Sequence, residues 1–317
     1  MLKDTIITGI GFAADSYDLF VIGSVIVILK DIYNPTIAQI SLIAGISLAS
    51  AIIGQLLFGH FALKFGRIRM FIITLSLIIF GAITSAFAFD NKICSLFTML
   101  AISRAIMGVG IGGEYPLSAT ITKEKNISNR PTVAVFSMQG VGYFISALLF
   151  VSLITWVKME YVWRILLFFG GVPGLATIYF RYKMEETKEY EKLENNNLTL
   201  MDFKYNLRNL LGTAGSWFIF DITFYANGIF ASSILNEMIK GDIRHKILYT
   251  SIFNLCISLI SFLGYISAWI IIDKFNKNYL QMFGFACISI LFFIIGILYS
   301  TIKGYMIIFT FIYGLTF

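Results

Sequence analysis

The run Arg104-Ala-Ile-Met-Gly-Val-Gly-Ile-Gly-Gly-Glu-Tyr-Pro-Leu-Ser-Ala119 is apolar or small almost everywhere, yet it holds one arginine and one glutamate. Gly108, Gly110, Gly112 and Gly113 give it a flank without side chains, the composition that lets membrane helices approach closely. A lone charge at the bilayer centre costs about 2.5–3.5 kcal/mol on insertion scales. Arg104 and Glu114 therefore point to a helix that turns its charges toward neighbouring helices or a polar cavity, away from lipid.

The rest of the chain repeats this pattern. Asp15 and Asp18 sit within the first apolar run and Asp221 within a later one. Hydrophobic residues make up 58% of the 317 residues and charged ones 13%, with a mean hydropathy of +0.82. A soluble domain would be about a quarter charged, so the chain reads as an all-α polytopic membrane protein. The formal charge of +6 is scattered between apolar runs, which argues for topology and against nucleic acid. Cys94, Cys256 and Cys287 are expected to be free, buried packing residues, with no metal spacing and no disulfide framework.

About 20 apolar residues span the hydrocarbon core as a helix. Such spans fall near residues 5–29, 38–62, 69–89, 96–120, 132–156, 162–182, 209–235, 247–272, 280–300 and 304–317. Six spans, then the polar stretch 183–208 with three consecutive Asn, then further spans predict an N-terminal six-helix bundle over 1–182. A cytoplasmic linker over 183–208 and an incomplete C-terminal bundle over 209–317 follow. The last span stops at Phe317, so the chain is expected to be a fragment. Fifteen cations, among them Lys3, Lys64, Arg67 and a loop residue Arg181, fall on the N-terminal side of the membrane against seven opposite. That excess predicts a cytoplasmic N-terminus, and the sequons at Asn126 and Asn197 would stay unmodified. The segments Gly59–Arg67 and Ile272–Lys277 occupy equivalent places in the two halves, a weak internal repeat.

Trp217, Asp221 and Tyr225 recur every four residues, which keeps them within about 80° of one helix face. That face offers an indole N–H, a carboxyl and a phenol, all able to meet an anion when the acid is protonated. Packing aromatics at an interface are the alternative. Asp15 and Asp18 are three apart, about 60° around their helix. They share a face, unless one is a solvated helix-end residue.

From Gly11 to Ala286 the chain resembles the phosphate:proton symporter family of the major facilitator superfamily. The resemblance lies in Gly11-Phe-Ala-Ala-Asp-Ser-Tyr-Asp-Leu-Phe20, the 59–69 loop, Arg104–Glu124, Met138-Gln-Gly140 and Thr213–Tyr225. It implies proton-coupled import of inorganic phosphate by alternating access, with no cofactor, no metal and no enzymatic step. It implies a phosphate site of Tyr115, Gln139, Trp217, Asp221 and Tyr225, and a proton-relay role for Asp15 and Asp18. It leaves Arg104 as relay or structural ion pair, and Glu114, where many relatives carry Asp, as proton carrier or hydrogen-bonding core residue. Gly59, Gly66, Arg67 and Asp273 match the gating loops, although Leu63 stands where an acid is usual. Partners are expected to be phosphate, protons and the lipid bilayer of the plasma membrane.

Two like charges 4 Å apart at an effective dielectric near 20 repel by about 4 kcal/mol. Phosphate and an ionised Asp221 would thus exclude each other, whereas the protonated acid can donate to the anion. A related transporter of a sugar, carboxylate or organic cation stays open, as does a non-transporting membrane protein or nutrient sensor.

Overall fold

The computed structural model describes residues 2–91, 94–125, 130–187, 190 and 200–317, without the side chains of residues 2–3 and 200–205. Among the described residues the chain is helical, with no strand. In chain order the helices are α1 (Leu2–Tyr33), α2 (Ile37–Phe65), α3 (Arg67–Ala86), α4 (Leu96–Lys125) and α5 (Arg130–Trp156). They continue with α6 (Met159–Tyr182), α7 (Leu200–Met238), α8 (Ile243–Ile271), α9 (Lys277–Ile302) and α10 (Met306–Gly314). All but α10 are long and apolar enough to cross a bilayer.

Local chemistry sets the breaks. Thr36 caps α2 reciprocally: its Oγ1 accepts from Gln39 N at 3.3 Å, and Gln39 Oε1 accepts from Thr36 N at 2.9 Å. Between α2 and α3 the chain turns on Gly66 alone, at φ 95°, a conformation that favours glycine. Asn276 caps α9 by accepting from Asn278 N at 3.0 Å.

The first six helices form one bundle. α2 and α3 both pack on α4, α6 packs on α3, and α1 lies between α5 and α6, buried along nearly its whole length from Ile7 to Leu29. The glycine flank does what its composition predicts. A Cβ on Gly112 would meet the Ala51 carbonyl oxygen at 2.0 Å, and one on Gly54 would meet the Val109 carbonyl oxygen at 2.1 Å. The α2–α4 crossing is therefore set by backbone contact. Large apolar residues such as Leu56, Phe293 and Ile307 stand exposed, a surface that suits lipid and would aggregate in water.

α7 packs on α1, and α8 packs on α5, joining the second group of helices to the first. A Cβ on Gly23 would meet the Ile229 carbonyl oxygen at 2.2 Å. Phe20 and Phe224 pack edge to face at 5.9 Å, and the Tyr143 hydroxyl donates to Asn254 Oδ1 at 3.0 Å. The Gly23 and Phe20 contacts join the far half of α1 to the second half of α7, and the Tyr143 bond joins α5 to α8. At the other end residues 206–214 of α7 are exposed, and Gly212 and Gly215 have nothing within 4 Å of a built Cβ. Helices α1 and α7 thus touch at one end and part at the other, while α5 and α8 stay in contact as far as the Arg130–Asp273 pair.

Several expectations change. Gly59 lies inside α2, with open space around it, because the helix runs on to Phe65 and the loop shrinks to Gly66. Helix α7 begins at Leu200, inside the stretch expected as linker, since polar residues can extend a helix beyond its apolar span. The last expected span forms only the nine-residue helix α10. The three cysteines are unpaired and none is buried: Cys256 faces outward from α8, and Cys94 and Cys287 are partly exposed. Asn126 and Asn197 lie outside the described residues.

Candidate functional site

Asp15 is fully buried in the middle of α1, and neither of its carboxylate oxygens meets a hydrogen-bond partner among the described residues. It lies within electrostatic reach of Tyr115 on α4 and Tyr225 on α7. The Tyr225 hydroxyl donates to the Tyr115 hydroxyl across the bundle interface at 3.4 Å. Gln139 on α5 is 8% exposed, and its backbone oxygen accepts from Ser16 Oγ at 2.6 Å, one residue from Asp15. The structure thus brings together Asp15, Tyr115 and Tyr225 from three helices, with the Gln139 backbone packed on α1 beside them. Pro116, which has no N–H to donate back along α4, follows Tyr115 directly.

Glu114 does not point at this cluster as a free acid. It is fully buried and held in a two-armed ion pair by Arg181, whose Nη1 donates to Oε2 at 2.8 Å and whose Nη2 donates to Oε1. Thr74 Oγ1 adds a donor to Oε2 at 3.0 Å, and Arg181 Nη1 also donates to the Phe71 carbonyl at 2.7 Å. The guanidinium lies over the Phe71 ring at 3.5 Å. This corrects the expectation for Arg181: it is not a loop cation but a core residue with no exposure. An arginine at the polar end of an apolar run looks the same in sequence whether it faces water or turns inward. The close packing also explains Gly11, where a Cβ would meet Arg181 Nη2 at 1.9 Å and Glu114 Oε1 at 2.6 Å.

Asp18 has different company, although it shares a helix face with Asp15. It is buried beside Arg104, whose Nη2 donates to the Asp18 backbone oxygen at 3.1 Å. A Cβ on Gly170 of α6 would meet Asp18 Oδ1 at 1.8 Å. Both carboxylate oxygens of Asp18, and Nε and Nη1 of Arg104, lack hydrogen-bond partners among the described residues. The pair is close in charge but not locked.

Along α7, Trp217, Asp221 and Tyr225 grade from open to closed. Trp217 is 50% exposed, with its ring tilted 50° against Phe220 at a centroid distance of 6.0 Å. Asp221 is half-buried and within electrostatic reach of Tyr225. Tyr225 alone of the three contacts Tyr115. A cavity of about 530 Å³ lies beside α7, lined largely by Ile219, Phe220, Phe285 and Phe292, and has no charged side chain.

Of the residues expected in gating loops, Arg67 and Asp273 form two separate ion pairs. Arg67 pairs with Glu124 at 2.6 Å and lies over the Tyr190 ring at 5.4 Å, while Glu186 Oε2 accepts from Ile68 N at 3.1 Å. Acids from beyond α6 and from α4 thus stand in for the one absent at Leu63. Asp273 pairs with Arg130 at the start of α5 at 2.5 Å, tying the α8–α9 turn to the first bundle. Tyr265 on α8 also faces the central cluster, and sequence reading missed it. It is one of many aromatics in its span, and no spacing rule singles it out.

Two helical bundles enclosing buried acids and polar side chains where they meet are the architecture of a membrane transport protein. The sequence model of the Major Facilitator Superfamily matches residues 8–317. The chain belongs to that superfamily and, within it, to the phosphate:proton symporter family. It is 33% identical to "Inorganic phosphate transporter 1-11" of Oryza sativa subsp. japonica, over 100% of this chain and 71% of the relative. It is 31% identical to "Low affinity inorganic phosphate transporter 4" of Lotus japonicus, over 98% of this chain and 73% of the relative. Among solved structures it is similar in fold to the partially occluded inward open conformation of the xylose transporter XylE from E. coli, with a TM-score of 0.74 and 17% identity. That match covers 99% of this chain and 80% of the other.

Proposed function

We propose that the chain carries inorganic phosphate across the membrane together with protons, as an importer with its N-terminus in the cytoplasm of a plasma-membrane protein. The relatives named as phosphate transporters support the substrate. The observation that carries the coupling is Asp15: a buried acid without hydrogen-bond partners, beside two phenols at the seam of the bundles. Glu114 already has its counter-ion in Arg181, and Asp18 has Arg104 alongside. Asp15 is left as the acid that must be neutralised before an anion can settle among Tyr115, Gln139 and Tyr225.

An ionised Asp15 and phosphate repel, and low dielectric makes that repulsion strong. A protonated Asp15 donates a hydrogen bond instead. Anion and proton therefore arrive together and leave together. Asp221, on the half-open face of α7, meets phosphate on its way in; during rocking the Arg130–Asp273 pair fastens one bundle to the other, and the Arg67–Glu124 pair ties α3 to α4 within the first.

Uptake of radiolabelled phosphate into proteoliposomes, with and without an imposed pH gradient, tests this reading. Accumulation driven by the gradient and abolished by a protonophore is expected. No phosphate flux at any pH, with flux of a sugar or carboxylate instead, would overturn it.

A further inference from the structure

We propose that Tyr265 on α8 is a further hydrogen-bond donor to the transported oxyanion, closing the site from the second bundle next to Gln139; the proposal rests on the phosphate reading above. The Tyr265 ring is partly buried and within electrostatic reach of Tyr115 and Tyr225, so three phenols from α4, α7 and α8 converge. Their hydroxyls do not satisfy one another. The Tyr115–Tyr225 contact is 3.4 Å, long against the usual 2.5–3.0 Å for an O–H donor and oxygen acceptor. The Tyr265 hydroxyl has no hydrogen bond among the described residues, yet it is not one of the sealed-off orphan atoms. A donor left open beside two loosely paired ones suits a small guest with several acceptor oxygens.

The ring is also held in place. A Cβ on Gly140 would meet Tyr265 Cδ2 at 2.5 Å, so only glycine lets the ring lie against α5 beside Gln139. One turn away, Ser137 Oγ donates to the Tyr265 backbone oxygen at 3.3 Å. The stretch Ser137–Gly140 thus places both Gln139 and Tyr265 at the seam. A phosphate among these groups would draw donors from both bundles, which is how a bound solute can favour their approach.

Tyr265→Phe keeps the ring and removes only the donor. Calorimetric titration of the detergent-solubilised protein with inorganic phosphate is expected to show binding weakened about tenfold. Transport KM should rise in proportion, with maximal velocity and melting temperature close to wild type. Gly140→Ala, which pushes the ring aside while leaving its hydroxyl, is expected to weaken binding as well. Unchanged phosphate affinity in Tyr265→Phe, or in Gly140→Ala, would overturn the proposal while the wild type still binds. A wild-type protein that binds no phosphate would remove the phosphate reading and this proposal together.

Discussion

At the scale of single residues, the six buried charged side chains described in the first bundle divide by how they are compensated. Glu114 and Arg181 neutralise each other in a dry core, and breaking such a pair by removing one partner costs about 3–5 kcal/mol. Glu114→Gln should accordingly lower the melting temperature sharply, whereas replacing both by apolar residues, Glu114→Leu with Arg181→Met, should recover most of the loss. A double variant no more stable than the worse single one would show that Thr74 and the Phe71 ring, not the ion pair, hold this spot. Asp18 depends on Gly170 in the same way: Gly170→Ala drives a methyl group into its carboxylate and should destabilise by roughly 1–3 kcal/mol, read by thermal unfolding. Asp15, Asp18, Arg104 and Glu114 were legible in the sequence because a charge stands out in an apolar run. What was not legible was their pairing. Arg181 looked like a loop cation, and its partner lies 67 positions earlier in the chain. Tyr265 looked like any other aromatic, since its meaning comes from Gly140 on a different helix.

At the scale of helices, the sequence located the spans well because a bilayer demands length and apolarity, and both are written locally. It misplaced the ends. Gly66 makes the whole α2–α3 turn, so a loop of several residues was expected where one suffices. Which helices touch was visible only where glycine leaves a mark. The flank Gly108–Gly113 predicted a close crossing without naming α2 as the partner. Gly112→Val places a branched side chain against the Ala51 carbonyl, and neither backbone can yield alone. It should lower the thermal stability of the whole bundle and reduce transport by misplacing Tyr115, three residues on. A variant that melts and transports like wild type would mean that the crossing tolerates a wider separation.

At the scale of the whole molecule, α1 and α7 meet at their far ends and part at their near ends, with Asp15 and the phenols between, while α5 and α8 hold together down to the Arg130–Asp273 pair. Rocking needs the far contact to break and form again. Gly23 and the Ile229 carbonyl mark its tightest point, so Gly23→Ala should hamper closure, slowing maximal transport several-fold while phosphate binding persists. Equal rates in the variant and wild type would place the rocking contact elsewhere. Sequence showed the two halves through the polar stretch after α6, but not that they are asymmetric in contact, which depends on pairs such as Phe20 with Phe224. The coupling claim itself turns on one acid. In proteoliposomes, Asp15→Asn should exchange labelled for unlabelled phosphate across the membrane yet fail to accumulate it in response to a pH gradient. Gradient-driven accumulation equal to wild type in Asp15→Asn would contradict the account.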